Sequence, residues 1–216
     1  MTDLFATISE AQPMREPLGE GAVLLRGCVG DHEQALLADL RTIIKAAPFR
    51  HLVTPGGHTM SVAMTNCGRV GWVSDARGYR YDPFDPDSGQ NWPAMQPALR
   101  SLAARAASEG GYHDFTPDAC LINRYKPGAK LSLHQDKDEL DLGAPIVSVS
   151  LGLPATFLFG GLTRSAPQKR YRLTHGDVVV WGGPSRLAYH GVAPLPEGEH
   201  PVMGAQRINL TFRKTR

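Results

Sequence analysis

From Ala119 to Arg213 the chain divides into eight short runs: ACLINRY, KLSLHQD, IVSVSLGL, TFLFG, KRYRLTH, DVVVWG, LAYHGV and RINLTFR. Turn residues separate them, among them Pro127-Gly128, Gly143-Ala144-Pro145, Gly160-Gly161, His175-Gly176-Asp177 and Gly182-Gly183-Pro184. Breakers this frequent forbid long helices. A series of short strands of this kind buries its apolar faces by forming a double-sheet jelly roll or a barrel. One passage has the length of a membrane helix, the 22 uncharged positions between Asp141 and Arg164. Pro145, Gly152, Pro154 and Gly160-Gly161 interrupt it, and Ser148 and Ser150 alternate with Val147, Val149 and Leu151. Period-two alternation is the mark of strands in a core, so no membrane association is expected.

Two helices are expected. The first covers 31–47, with Asp31 as cap, Gln34 completing a capping box, and Leu36, Leu37, Leu40, Ile43 and Ile44 on one face before Pro48. The second runs from about Pro97 to Glu109 and ends at Gly110-Gly111. Both would cover one side of a sheet. GAVLLR and TMSVAMT read as early strands, whereas residues 66–97, rich in Gly, Pro, Asp and Tyr, read as a long ordered loop or lid. The length of 216 residues suits one domain of α+β, mainly β, class. A net charge of +2 is too mild to announce nucleic acid by itself. The three cysteines are odd in number, widely spaced and without a CxxC pair, which argues against a disulfide framework or zinc knuckle and favours reduced thiols in the cytoplasm. The opening MTDLFATISE lacks the basic end and apolar run of a signal peptide.

The chemistry centres on LSLHQDKDE, residues 131–139. On a strand, Ser132, His134 and Asp136 share one face, so an imidazole and a carboxylate can converge on one ion. His190 in YHGV is a second imidazole, 54 residues after Asp136. Two histidines and one carboxylate occupy one face of an octahedral metal and leave three positions open, which suits non-haem Fe(II) and oxygen chemistry. Taken alone, HxD is equally the pattern of a polar surface strand. RINLTFR, 207–213, places Arg207, Asn209, Thr211 and Arg213 on one face and Ile208, Leu210 and Phe212 on the other. The polar face fits either a grip on a small dianion or an edge strand with a solvated basic face.

These residues carry a resemblance. His134-x-Asp136, His190 and Arg207-x-Asn209-x-Thr211-x-Arg213, in that order, resemble the Fe(II)/2-oxoglutarate dioxygenases. More narrowly, TPGGHTMSVAMTNCG (54–68), DACLINRYKPGAKLSLHQDKDE (118–139), PIVSVSLGLPATFLFGG (145–161) and HGDVVVWGGPSRLAYHGV (175–192) resemble the bacterial AlkB-type alkylated-DNA repair enzymes. The resemblance implies a double-stranded β-helix (jelly roll) with helices on one side, a catalytic core over 115–216 and a nucleotide-recognition lid over about 48–97. It implies Fe(II) on His134, Asp136 and His190, with 2-oxoglutarate as cosubstrate and O2 in the last open position. Arg207 with Tyr125 is expected at the far carboxylate and Arg213 at the metal-side end, with Asn123 and Asn209 beside them.

The implied substrate is a base of alkylated DNA, with RNA as a second polymer, methylated on a ring nitrogen of the pairing face, as in 1-methyladenine or 3-methylcytosine. Trp72 and His134 would sandwich the flipped base, Tyr79 would stack nearby, Asp138 would contact the base, and Thr54, Met64 and Arg164 would make further contacts. Lys130, Lys137, Arg77 and Arg80 are weaker candidates for phosphate. Trp181 is expected behind the site, and Trp92 and Tyr81 either in the lid or at substrate. A monomer is expected. Two other readings keep part of this picture: a dioxygenase acting on a protein, lipid or small molecule, and a silent jelly-roll module holding a structural metal.

Overall fold

The computed structural model describes residues 14–216. Its elements are β1 (Met14–Gly19), β2 (Ala22–Arg26), α1 (Glu33–Ala46), β3 (Arg50–Val53), β4 (Thr59–Gly68), β5 (Gly71–Asp75), β6 (Gly78–Asp82), α2 (Pro97–Glu109), β7 (Ala119–Tyr125), β8 (Leu131–His134), β9 (Ile146–Gly152), β10 (Ala155–Phe159), β11 (Lys169–Leu173), β12 (Val178–Trp181), β13 (His190–Val192) and β14 (Arg207–Arg213). All eight runs after Ala119 form strands, although LAYHGV is extended only at its end. The 22 uncharged positions hold β9 and β10. No helix among the described residues is long and apolar enough to cross a membrane.

An eight-stranded sheet, ordered β1-β2-β12-β9-β14-β7-β4-β3, faces a four-stranded sheet, β11-β10-β13-β8. Strand alternation divides the large sheet into two unlike faces. Leu25, Ile122, Val147, Val149, Val180, Ile208, Leu210 and Phe212 pack with Leu36, Leu40, Leu99 and Leu102 of the two helices. The opposite face joins Leu24, Val62, Met64 and Trp181 to Phe157 and Phe159 of the small sheet. β14 lies in the middle of the large sheet, which removes the edge-strand reading of its basic face: Arg207 and Arg213 are buried at 1% and 6% exposure.

Two local expectations differ from the structure. Asp31 does not cap α1, and no capping box forms. The chain enters through a 3-10 turn, Gly30–His32, so the N-cap is His32 in helical geometry with no side-chain cap bond. The turn already engages the first amide of the helix, Glu33 N–H donating to the Gly30 carbonyl, in place of a side-chain cap. Residues 66–97 are also more regular than expected. β5 and β6 form an antiparallel hairpin closed by Ala76-Arg77, with Asp75 opposite Gly78. The turn lacks the usual Asn-Gly or Asp-Gly signal because the left-handed backbone falls on Gly78 (φ 111°), just after it.

Candidate active site

The two sheets enclose a cavity of about 660 Å3. The antiparallel pairing of β13 with β8 sets His190 opposite His134. Gly191 permits that approach, since a Cβ there would lie 2.7 Å from the Leu131 carbonyl oxygen. Asp136 reaches the pair differently from the expected strand alternation. β8 ends at His134, and the loop that follows is held by Gln135 Nε2 donating to the Leu187 carbonyl (2.7 Å) and Arg186 Nη1 donating to the Asp136 carbonyl (2.6 Å). Asp136 Oδ1 lies 3.6 Å from His134 Nε2, and its Oδ2 lies 3.8 Å from His190 Nε2.

Both imidazoles are oriented by backbone. His134 Nδ1 meets the Ser132 carbonyl at 2.8 Å and His190 Nδ1 meets that of Ala188 at 3.0 Å. A carbonyl only accepts, so each Nδ1 carries the proton and each Nε2 lone pair points to the shared space. Metal-ligating histidines are ordinarily prepared in this way. Among the described residues these three form the one group of His, Cys, Asp and Glu side chains spaced to hold an ion. Burial, reinforced by the charge of His134, pushes His190 down to about 4, so it stays neutral. Burial also opposes charge on His134, but the Asp136 carboxylate beside it outweighs this and raises its pKa. Asp136 is held well below the usual carboxylate range: burial works against ionisation, and Arg213, at 2.8 Å, overcomes it.

The polar face of β14 and its neighbours lines the inner end of the cavity. Asn123, Tyr125, Ser148, Asn209, Thr211 and Arg213 are on its wall. Arg207 lies one layer behind, its guanidinium 5.0 Å from the Tyr125 ring centre and its Nη2 donating to Ser150 Oγ at 3.0 Å. Arg207 Nε and Nη1 and the Tyr125 hydroxyl are buried without a hydrogen-bond partner among the described residues. Orphaned donors around a buried cation suit an acceptor-only anion such as a carboxylate.

The outer end holds the other predicted residues. Thr54, Met64, Trp72, Tyr79, Asp138 and Arg164 all line the cavity. Trp72 stacks on Tyr79 at 5.5 Å and 13°, and its indole N–H donates to Asp138 Oδ2 at 2.8 Å. The guanidinium of Arg164 sits 5.4 Å from the Tyr189 ring centre. Trp181 packs edge-on against His190 at 4.9 Å, as expected of a residue behind the site. Trp92 packs inward, its indole bonded to the Asp82 carbonyl (2.9 Å). Lys130 and Lys137 reach the cavity wall, whereas Arg77 and Arg80 are engaged by Asp75 at 3.0 Å.

Sequence reasoning missed the roles of Ser148, Ser150, Glu139 and Arg186. The serines left a signal, because their alternation matches that of the strand they pair with: Ser150 lies opposite Asn209 and Ser148 opposite Thr211. Asn209 Nδ2 donates to Ser148 Oγ at 2.7 Å. Nothing in the pattern around Arg186 distinguishes it from a surface residue, yet it is 3% exposed and paired with Glu139 at 2.9 Å.

A jelly roll with a two-histidine, one-carboxylate centre and a buried anion cradle defines a non-haem iron oxygenase that uses a keto-acid cosubstrate. The model of the 2OG-Fe(II) oxygenase superfamily matches residues 21–213. The alpha-ketoglutarate-dependent dioxygenase AlkB of Escherichia coli (strain K12) is 59% identical over 214 residues, 99% of this chain and 98% of that one. The human nucleic acid dioxygenase ALKBH1 is 33% identical over 134 residues, 61% of this chain and 34% of that one. The solved structure of OsALKBH1 superposes with a TM-score of 0.82 at 28% identity, covering 93% of this chain and all of that chain. The chain therefore belongs to the AlkB family of alpha-ketoglutarate-dependent dioxygenases within the 2OG-Fe(II) oxygenase superfamily, with Fe(II), 2-oxoglutarate and O2 as its reactants and cofactor.

Proposed function

We propose that this enzyme removes alkyl groups from ring nitrogens of damaged bases in DNA, and also in RNA, with 1-methyladenine and 3-methylcytosine as its type substrates. The observation that carries the reading is the pairing in one cavity of an iron-binding triad with a stacked aromatic pair and an outward-facing carboxylate. The metal supplies oxidative chemistry, coupling decarboxylation of 2-oxoglutarate to hydroxylation of the alkyl carbon, which then leaves as an aldehyde. His134, Asp136 and His190 hold the iron. Arg207 and Tyr125 hold the far carboxylate of 2-oxoglutarate, Asn123 and Asn209 border it, and Arg213 lies at the metal-side end. Phe157 and Trp181 pack beside His190 and give that end of the cavity an apolar wall.

Trp72 and Tyr79 receive the flipped base, with His134 on its other side, and Thr54, Met64 and Arg164 border it. Stacking on aromatic rings contributes about 1–3 kcal/mol per base. A base methylated at its pairing edge has already lost its partner, so its extrusion costs less than that of a sound base. It is also cationic. A carboxylate about 4 Å from a cation contributes about 4 kcal/mol at an effective dielectric of about 20, an upper figure for the exposed Asp138. Charge thus selects damage where shape alone would not. A nucleotide-recognition lid over about 48–97 on a jelly-roll core over 115–216 is the division of labour this implies. The protein is read as a monomer of the cytoplasm, in keeping with its three free, buried cysteines.

The test is release of formaldehyde from an oligonucleotide containing 1-methyladenine, with Fe(II), 2-oxoglutarate and air. No turnover by correctly metallated protein would refute the reading. Asp138→Ala should keep 2-oxoglutarate oxidation but lower the preference for the methylated, cationic base over a neutral one by about tenfold. Unchanged preference in competition assays would remove the electrostatic argument. Metal affinity should depend on pH through His134. Its raised pKa means that protons compete with the metal from above the ordinary histidine value of 6.5 downward, while His190 stays neutral to about 4. Titration of Mn(II) should therefore show affinity level at high pH and falling by about tenfold per unit below that threshold.

A further inference from the structure

We propose that Tyr81 is a positioning residue that fixes the base-stacking hairpin against the loop after Asp136; this deepens the functional reading above and rests on it. Trp72 and Tyr81 are directly opposite in the β5–β6 pairing. Each donates a hydrogen bond to one of two consecutive acids: the Trp72 indole to Asp138, and the Tyr81 hydroxyl to Glu139 Oε1. The hairpin is thereby docked by two prongs from one cross-strand pair.

The prongs are unequal. Asp138 is exposed and on the cavity wall, where an incoming base competes with the indole for its carboxylate. Glu139 is 6% exposed and clamped between Arg186 Nη2 at 2.9 Å and Arg213 Nε at 3.2 Å. Arg186 also holds the carbonyls of Asp136 (2.6 Å) and Ala144 (3.0 Å), so the clamp belongs to the iron-ligand loop itself. Burial raises the pKa of the Tyr81 phenol, which remains a donor throughout the working range. The Asn66 side chain holds the Trp72 backbone (3.0 and 3.1 Å) and Ser74 Oγ holds the Val53 carbonyl (2.7 Å), so the hairpin stays joined to the large sheet in any case. When substrate takes Asp138, the Tyr81–Glu139 bond is the side-chain tie to the iron-ligand loop that remains, and it sets the height of Trp72 and Tyr79 over the iron ligands.

Tyr81→Phe tests this, because it keeps the ring and removes only the hydroxyl. The KM for a five-nucleotide DNA bearing 1-methyladenine should rise about tenfold, the scale of one lost hydrogen bond to a charged acceptor, while the KM for 2-oxoglutarate stays within about twofold. Binding of the same oligonucleotide to Mn(II)-loaded protein, read by anisotropy, should weaken equally. More 2-oxoglutarate should be consumed per base repaired. An unchanged oligonucleotide KM, or an equal rise in both KM values, overturns the proposal, the second because it marks general damage to the Arg213 region. Hydrogen exchange gives an independent arm: amides of 71–82 should exchange faster in the variant, and unchanged rates overturn the tie. Should the wild-type protein leave the methylated oligonucleotide untouched, the functional reading fails, and exchange alone decides whether Tyr81 fixes the hairpin.

Discussion

Replacing Asp136 with alanine is expected to abolish metal-dependent 2-oxoglutarate turnover, by more than about a thousandfold, while leaving a folded protein. The loss is that of a metal ligand, and so exceeds the 10–100-fold typical of outer-sphere partners. The effect on stability follows from Arg213. Its guanidinium is buried, and the charges of Asp136 and Glu139 overcome that burial and raise its pKa. Abandoning a buried charge altogether costs about 3–5 kcal/mol. Here Glu139 remains 3.2 Å from Arg213 Nε, so the cost should fall below that range. His134→Ala gives the contrast. Its side chain is 32% exposed, so turnover should fall equally with little change in melting temperature. Co(II) titration, oxygen consumption and thermal melts of the two variants check this. Substantial turnover in either variant would exclude the assigned triad.

Arg207→Met should produce opposite signs in binding and in stability. Arg207 is 1% exposed, burial lowers its pKa, and two of its nitrogens lack partners among the described residues. Without cosubstrate, that is a desolvated charge compensated only by Ser150 and the Tyr125 ring. An apolar side chain of similar volume should raise the stability of the ligand-free protein by about 1–2 kcal/mol, which is roughly 2–8 °C for a domain of this size. The same change removes the cation facing a carboxylate. Truncating one partner of a buried charge pair costs about 2–5 kcal/mol, so the KM for 2-oxoglutarate should rise at least about thirtyfold. Melting curves with and without 2-oxoglutarate separate the two effects: the variant should start higher and lose the ligand-induced shift. A variant that melts lower without ligand and still gains from 2-oxoglutarate would show that Arg207 is structural.

Much of this was legible from strand periodicity. RINLTFR could be sorted into an apolar face and a polar face because side chains alternate whatever the partner strand. The structure places Ile208, Leu210 and Phe212 against the helices, with the polar set on the opposite side. Where reading failed, a local rule had been overruled. Asp31 satisfied a capping pattern that the 3-10 turn made unnecessary. The β5–β6 hairpin hid because its left-handed residue follows the turn.

The sequence alone determined which side chains share a strand face, where the chain must turn, and which residue types were available for iron, a dianion and a stacked base, since these depend on covalent geometry and local sterics. Only the tertiary structure decided that β14 is central rather than an edge, that the loop after β8 carries Asp136 to the histidines, and that Glu139, Arg186 and Tyr81 hold that loop to the hairpin. Those outcomes depend on long-range strand order and on the cost of burying unpaired charge. Both become defined only when segments far apart in the chain are packed together.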